Sequence, residues 1–503
     1  MKEVNLYRMF TLVLLLLCSQ VADSQTISIS NTAANKPQSL RDELNILINQ
    51  NTKEAKEQLN AKVAVLAKSN KEDELMLARG VYKTIEDEVK LKAIDAQILK
   101  KFPKGQLARD YAFEEKIGSS IDQLNAKELD KRFTAWKKQF PKEGFEIAQQ
   151  GRQDFLAMLL VKRLAKLGEK EYLNRYLAEM TDLNWMTVAY FDAGKQMFVG
   201  NDFQAANAYL EKALLLSKQA KSSDSTALQK GFAAMMYNNI VNALAKNQLQ
   251  LGNPKRAIDL IYPILEENNY KMFQGDSLVN TLANSYLKQG NPFLGFIAMD
   301  KYLQVNSLDN GSVLLAKQLY TAVNNGEDGF DSYISFLKTR KQADLKEELS
   351  KKLIEKPMED FTLRDFAGNS VSLADYKGKV LVIDFWATWC VPCIKSFPGM
   401  QATIEKYKDN PNVAFLFANV WEKGADFKQK ATKLMQDKGY DFKVVFDENQ
   451  EGNRLLVERL GIQSIPTKVF VDARGNIRFI ASGSETDKES VVAEVSSIID
   501  LIK

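Results

Sequence analysis

The sequence predicts a multidomain chain in which an all-α helical-repeat region is followed by an α/β domain. Three observations predict it. From about Leu40 to Leu349 apolar residues recur at helical spacing, with Gly and Pro mainly at the breaks. From Val380 onward, short apolar runs of strand character alternate with helical segments. The chain has 503 residues, 45 % apolar and 26 % charged, which is globular composition and long enough for two to four domains of roughly 100–200 residues each. A net charge of +4 gives no argument for nucleic acid or a membrane surface as partner. There is no His, which removes His bases, His metal ligands and Ser-His-Asp triads. Three cysteines, Cys18, Cys390 and Cys393, are too few for a disulfide framework.

The first segment reads as an address. Lys2 and Arg8 precede an apolar run from Met9 to Leu17, too short to span roughly 30 Å of hydrocarbon as a helix. Ala22 and Ser24 supply small residues at −3 and −1, so residues 1–24 are expected to be a signal peptide cleaved before Gln25. The rival is lipid anchoring through Cys18, against which Leu17 stands where a small residue is wanted. No later window has transmembrane character. The expected location is outside the cytoplasm, periplasmic if the source is a Gram-negative bacterium. The exported chain would keep only Cys390 and Cys393, so in an oxidising compartment that pair is expected to be used.

Residues 25–350 are read as the helical region. Val63 to Leu66 lie in one expected helix, and Phe155, Leu156, Leu159 and Leu160 in another. Gly200-Asn201, Gly252-Asn253 and Gly290-Asn291 recur 52 and 38 residues apart, each followed by three variable residues and then a small one, Ala205, Ala257 and Gly295. The longer interval holds Ser222 to Thr226, an expected inserted loop. Each motif is expected to be a tight turn needing Gly, with Asn starting the next helix and Pro tolerated in its first turn. Phe102-Pro103-Lys104 and Phe140-Pro141-Lys142 are expected inter-helix corners. Residues 200–214, with Ala205, Tyr209 and Ala213 as small, aromatic and small contacts, resemble degenerate tetratricopeptide repeats. That resemblance implies a solenoid with a protein-binding concave side; the alternative is an irregular bundle. Met235, Met236 and Tyr237 are expected in the core. Nothing in this region looks catalytic. A charged stretch from Lys341 to Lys356 ends at Pro357, where the boundary is placed.

In residues 355–503 the expected strands are 380–385, 413–418, 443–446, 467–471 and 477–480, the last two forming a hairpin around Arg474-Gly475-Asn476. Helices are expected at 392–407, 425–437 and 452–460. This order argues for a mixed sheet covered on both faces.

The chemistry is expected at the junction of the first long strand and its helix, in Trp389-Cys390-Val391-Pro392-Cys393. Two cysteines three apart at a helix start share a face. The first sulfur meets free backbone N–H groups and the positive end of the helix dipole, which favour thiolate. Cys390 is therefore expected to be partly exposed and nucleophilic, and Cys393 shielded and resolving. Pro392 stiffens the first turn at little cost. A zinc site would need two more ligands that the exported chain lacks. A purely structural disulfide would close too short a loop to stabilise much. A peroxidase of the peroxiredoxin type would carry Pro and Thr where Ile383 and Ala387 stand.

Asp384 to Cys393 resembles the thioredoxin superfamily. Asp360 to Leu363, Val371 to Leu373 with Gly378-Lys379, and Phe397-Pro398 resemble its TlpA/ResA-like branch, and Ile465-Pro466-Thr467 resembles its cis-proline loop. The resemblance implies a thioredoxin fold, a redox disulfide Cys390–Cys393 with no other cofactor and no metal, and protein substrates carrying disulfides or thiols. By position it implies that Cys390 attacks a substrate disulfide and Cys393 resolves the mixed disulfide. It further implies that Asp384 is a buried acid taking the Cys393 proton. Trp389, Pro392, Ile465 and a cis Pro466 would contact substrate. The alternative for Asp384 is a solvated strand-end carboxylate. Ser396 stands where that branch commonly has Glu. Without a His between the cysteines, reductase is favoured over oxidase, with electrons from a membrane relay partner. The rival function is a helical-repeat binding module with an accessory redox domain.

Overall fold

The computed structural model describes residues 39–503 except 51–52, 143–150, 223–230, 272–277, 423–425, 449–454 and 484–486. The expected signal peptide 1–24, its cleavage site and Cys18 lie outside the described residues, as does most of the expected loop at 222–226. The chain divides into two compact units, one ending at Gly295 and one running Phe296–Lys503.

The described residues of the first unit hold helices and no strand. Lys53–Leu66 and Gly151–Leu167 contain the apolar runs singled out in the sequence. Helices end at Lys101 and Gln139, so Phe102-Pro103 and Phe140-Pro141 are corners as expected. At Gly252 and Gly290 φ is +77° and +81°, the left-handed turn only Gly adopts freely. At the first motif the positive φ falls instead on Asn201, and the Asp202 carboxylate, not Asn201, caps the next helix by accepting from Ala205 N–H. Asn291 caps its helix through Leu294 N–H, whereas Asn253 makes no side-chain cap. Helices Leu183–Val199 and Phe203–Ser222 approach closely because position 194 has no side chain: a Cβ there would lie 2.6 Å from Leu210 Cγ. Met235, expected in the core, is exposed, since it ends the short helix Gly231–Met235 facing outward; Met236 is buried.

The second unit opens with helical residues to Asn324 and then α1 (Phe330–Ser350). Its strands are β1 (Lys356–Pro357), β2 (Thr362–Asp365), β3 (Ser370–Ser372), β4 (Val380–Trp386), β5 (Val413–Asn419), β6 (Val444–Phe446), β7 (Thr467–Val471) and β8 (Asn476–Ser482). Between them run α2 (Val391–Tyr407), α3 (Phe427–Lys438) and α4 (Leu456–Arg459), and α5 (Lys488–Ile502) closes the chain. The order across the sheet is β1-β8-β7-β4-β5-β6-β2-β3. β4, β5 and β6 are parallel and the remaining pairs antiparallel, the mixed sheet the sequence predicts. The turn between β7 and β8 forms because Asp472 accepts from Arg474 and Asn476 N–H, with Gly475 at φ +85°.

β4 is buried along its whole length, and its alternation sorts two cores. Val380, Val382 and Trp386 join the layer holding Cys390, Cys393, Phe397 and the apolar face of α5. Leu381, Ile383 and Phe385 join the opposite layer with Leu456 and Val457 of α4. Leu349 and Leu345 of α1 pack into the first layer and α1 lies on α5. α1 therefore belongs to the second unit although it precedes Pro357, where the sequence places the boundary.

Candidate active site

β4 ends at Trp386, and after Ala387-Thr388-Trp389 the chain turns into α2 with Cys390 as its N-cap. Here the first turn of the helix leaves N–H groups without helical partners. One of them, Cys393 N–H, donates to Cys390 Sγ at 3.3 Å. The two sulfurs are bonded, with Cα atoms 5.3 Å apart. Pro392 lies in the first turn and is exposed. Cys393 is fully buried, and Cys390 is 3 % exposed, not partly exposed as the sequence reading expects. The reason is local. In the disulfide both cysteines belong to the apolar layer with Trp386, Ala387 and Phe397, while the neighbours Trp389 (50 % exposed) and Val391 (59 %) take the solvent side.

The residues before Cys390 are pinned from across the sheet. The Glu422 carboxylate accepts from Thr388 N–H, from Thr388 Oγ1 at 2.8 Å and from Asn419 Nδ2 at 2.8 Å. The Trp389 indole N–H donates to Trp421 O at 3.0 Å. Trp421 itself sits at φ +53°, a conformation unfavourable for an aromatic residue. Sequence reasoning missed Glu422 and Trp421, which lie beyond the next strand, far from the cysteines in sequence. The signal that could have found them is a polar turn directly after a buried parallel strand, the usual address of site residues in such sheets.

Asp384 is buried, which excludes the solvated alternative. By strand alternation it faces the cysteine layer, with Val382 and Trp386 on the same side. Burial pushes its carboxyl above the usual range, and the Lys468 ammonium works in the opposite direction. Lys468 Nζ lies 3.4 Å from Asp384 Oδ2, and both side chains are 2 % exposed. Sequence reasoning missed Lys468. The sequence offers only half of the signal, a lysine at the second position of an apolar strand; the acid opposite it comes from the β4–β7 register. Ser396, in place of the branch's Glu, donates from Oγ to Cys393 O at 2.8 Å and is buried. It brings no carboxylate to the site.

The peptide bond Ile465–Pro466 is cis. Pro466 is buried and its carbonyl accepts from Gly483 N–H at 2.9 Å. Ile465 packs on both apolar layers, one of which holds the cysteines. Thus Cys390, Cys393, Asp384 and Ile465 share one layer, with Trp389 and Pro392 on its solvent side. Among the described residues no group of three or more Cys, Asp or Glu is placed to hold a metal, and no helix is long and apolar enough to cross a membrane.

Residues 354–496 match the redoxin family. The thiol-disulfide oxidoreductase ResA of Geobacillus thermodenitrificans is 31 % identical over 139 residues, 28 % of this chain and 74 % of its own length. The thioredoxin-like protein YneN of Bacillus subtilis is 33 % identical over 132 residues, covering 26 % of this chain and 72 % of its own. Among solved structures, the thioredoxin domain of a thiol-disulfide oxidoreductase from Bacteroides vulgatus is 24 % identical, with 29 % of this chain and 96 % of that one covered and a TM-score of 0.24.

Proposed function

Because the chain belongs, through its C-terminal domain, to the redoxin family and is a thiol-disulfide oxidoreductase of the ResA type, we propose that it is an exported reductase of protein disulfides. The observation that carries this reading is the Cys390–Cys393 pair at the start of α2, with a helix N–H donated to Cys390 Sγ. In the reduced protein the Cys390 thiolate attacks a substrate disulfide. A bond forms from Cys390 Sγ to one substrate sulfur, and the other leaves as thiolate. Cys393 gives its proton to Asp384 and attacks Cys390 Sγ. The second substrate thiolate leaves and the Cys390–Cys393 disulfide remains. Two electrons have moved to the substrate, so a thiol donor must restore the pair; a membrane relay partner fits that need. Trp389, Pro392, Ile465 and the Pro466 loop are the substrate-facing surface. The helical unit docks or selects the partner protein. An open surface groove bordered by Phe198, Lys246, Thr281 and Lys288 lies on this unit.

Direction is tested by equilibrating the Cys390–Cys393 couple with glutathione. Val-Pro between the cysteines gives the thiolate no side-chain partner of the His type, which favours the disulfide form. The expected potential is more negative than about −250 mV, on the reducing side of glutaredoxin-like proteins. A value near about −120 mV, as in strong oxidants, would reverse the direction.

A further inference from the structure

Trp421 stands where the chain leaves β5, with its backbone at φ +53°, a conformation that bulky side chains avoid. Glycine would adopt it freely, yet an indole stands there. Val420 N–H still donates to Trp386 O at 2.9 Å, so the chain stays tied to β4 up to that residue. At Trp421 it turns back over the strand-to-helix turn that carries the cysteines. The left-handed turn aims the Trp421 carbonyl at the Trp389 indole N–H, 3.0 Å away. It also brings the Glu422 carboxylate to Thr388 N–H and, at 2.8 Å, to Thr388 Oγ1. Both residues that precede Cys390 are thus held from one left-handed turn. The Trp421 ring packs against the layer of Leu381, Ile383 and Phe385, on the far side of the sheet from the cysteines. The ring anchors the turn from behind, and what reaches Trp389 is the carbonyl.

We propose that Trp421 is a positioning residue for the protein substrate: its left-handed backbone holds the half-exposed Trp389 indole in one orientation beside Cys390. This rests on the reading of Trp389 as part of the substrate-facing surface of a disulfide reductase. An exposed side chain that is free to rotate loses that freedom when a partner docks, and the loss weakens binding. Held beforehand by the Trp421 carbonyl, the indole offers a fixed aromatic face to a chain carrying a disulfide. The contribution therefore falls on affinity for a protein substrate and not on the exchange of bonds between sulfurs.

The test measures reduction of insulin by the full chain with dithiothreitol as electron source. Trp421→Ile carries a β-branched side chain that disfavours positive φ. It should raise KM about threefold to tenfold, the factor that one hydrogen bond supplies, with kcat within about twofold of wild type. Trp421→Gly keeps the left-handed turn accessible and should leave KM within about twofold of wild type. Trp389→Phe removes the donor and should raise KM at least as much as Trp421→Ile. The double variant Trp389→Phe/Trp421→Ile should be no worse than Trp389→Phe alone, because both changes remove one bond. Equal rises in KM for Trp421→Gly and Trp421→Ile, a fall in kcat with KM unchanged, or multiplying effects in the double variant overturn the proposal. A second readout is solvent exchange of the indole N–H groups by ¹⁵N NMR. The chain has five Trp, and loss of one signal in Trp389→Phe identifies that residue. The Trp389 N–H should be protected in wild type and in Trp421→Gly and unprotected in Trp421→Ile. Should Trp421→Ile not fold, wild type decides: a Trp389 N–H that exchanges like a free indole overturns the proposal. A wild type that reduces no insulin would strike the reductase reading, and the exchange measurement would still decide the hold on Trp389.

Discussion

A reduced Cys393→Ser variant mixed with insulin is expected to accumulate a covalent adduct through Cys390, while catalytic turnover falls by about 10³-fold or more. The expectation follows from the geometry of one helix start. Cys393 is fully buried and is held one turn from Cys390, so its sulfur reaches Cys390 and no bulky substrate. Cys390 caps the helix, with exposed Trp389 and Val391 beside it. Without the second thiol the mixed disulfide has no internal exit. Non-reducing electrophoresis and mass spectrometry read the adduct, which Cys390→Ser should abolish. An adduct carried by neither cysteine, or full turnover in Cys393→Ser, would remove the assigned roles.

The second large effect is on stability. Phe397→Ala should cost about 3–5 kcal/mol, the range for truncating a fully buried aromatic residue. Phe397 has no solvent exposure and packs edge-on against Trp386, Phe417, Tyr440 and Phe442, with centroids 5.3–5.9 Å away. It therefore ties α2 to β4 and β5, the elements that aim the cysteines. In a unit of this size each 1 kcal/mol lowers Tm by about 2–4 °C, so a fall of roughly 6–20 °C is expected by calorimetry. Phe397→Leu should retain most of the stability, because the volume lost is smaller.

How much of this was legible beforehand follows from the range of each interaction. The cysteine motif, the helix it caps and the strands around it are local patterns, and Val380–Trp386 and Val391–Tyr407 lie where the sequence predicts them. The burial of Asp384 could be read from Ile383 and Phe385 on either side. Lys468 could not be assigned to it without knowing that β7 pairs antiparallel with β4 in that register. The hold of Glu422 on Thr388 likewise depends on β5 lying parallel beside β4. The burial of Cys390 is not legible in the sequence, because its exposed neighbours Trp389 and Val391 say nothing of the layer into which a bonded sulfur turns. The attachment of α1 to α5 through Leu345 and Leu349 was hidden in a segment whose charge made it look like a linker.

The central claim is that the start of α2 makes one of the two sulfurs a nucleophile in the reduced protein. Its most direct test is the rate of alkylation of Cys390 and Cys393 by iodoacetamide as a function of pH, each site followed by mass spectrometry. Cys390 should react at neutral pH faster than a free cysteine, with its rate inflecting at lower pH than the roughly 8.5 of an unperturbed thiol, while Cys393 reacts far more slowly. Equal rates at the two sites, or a Cys390 profile no different from free cysteine, would contradict it.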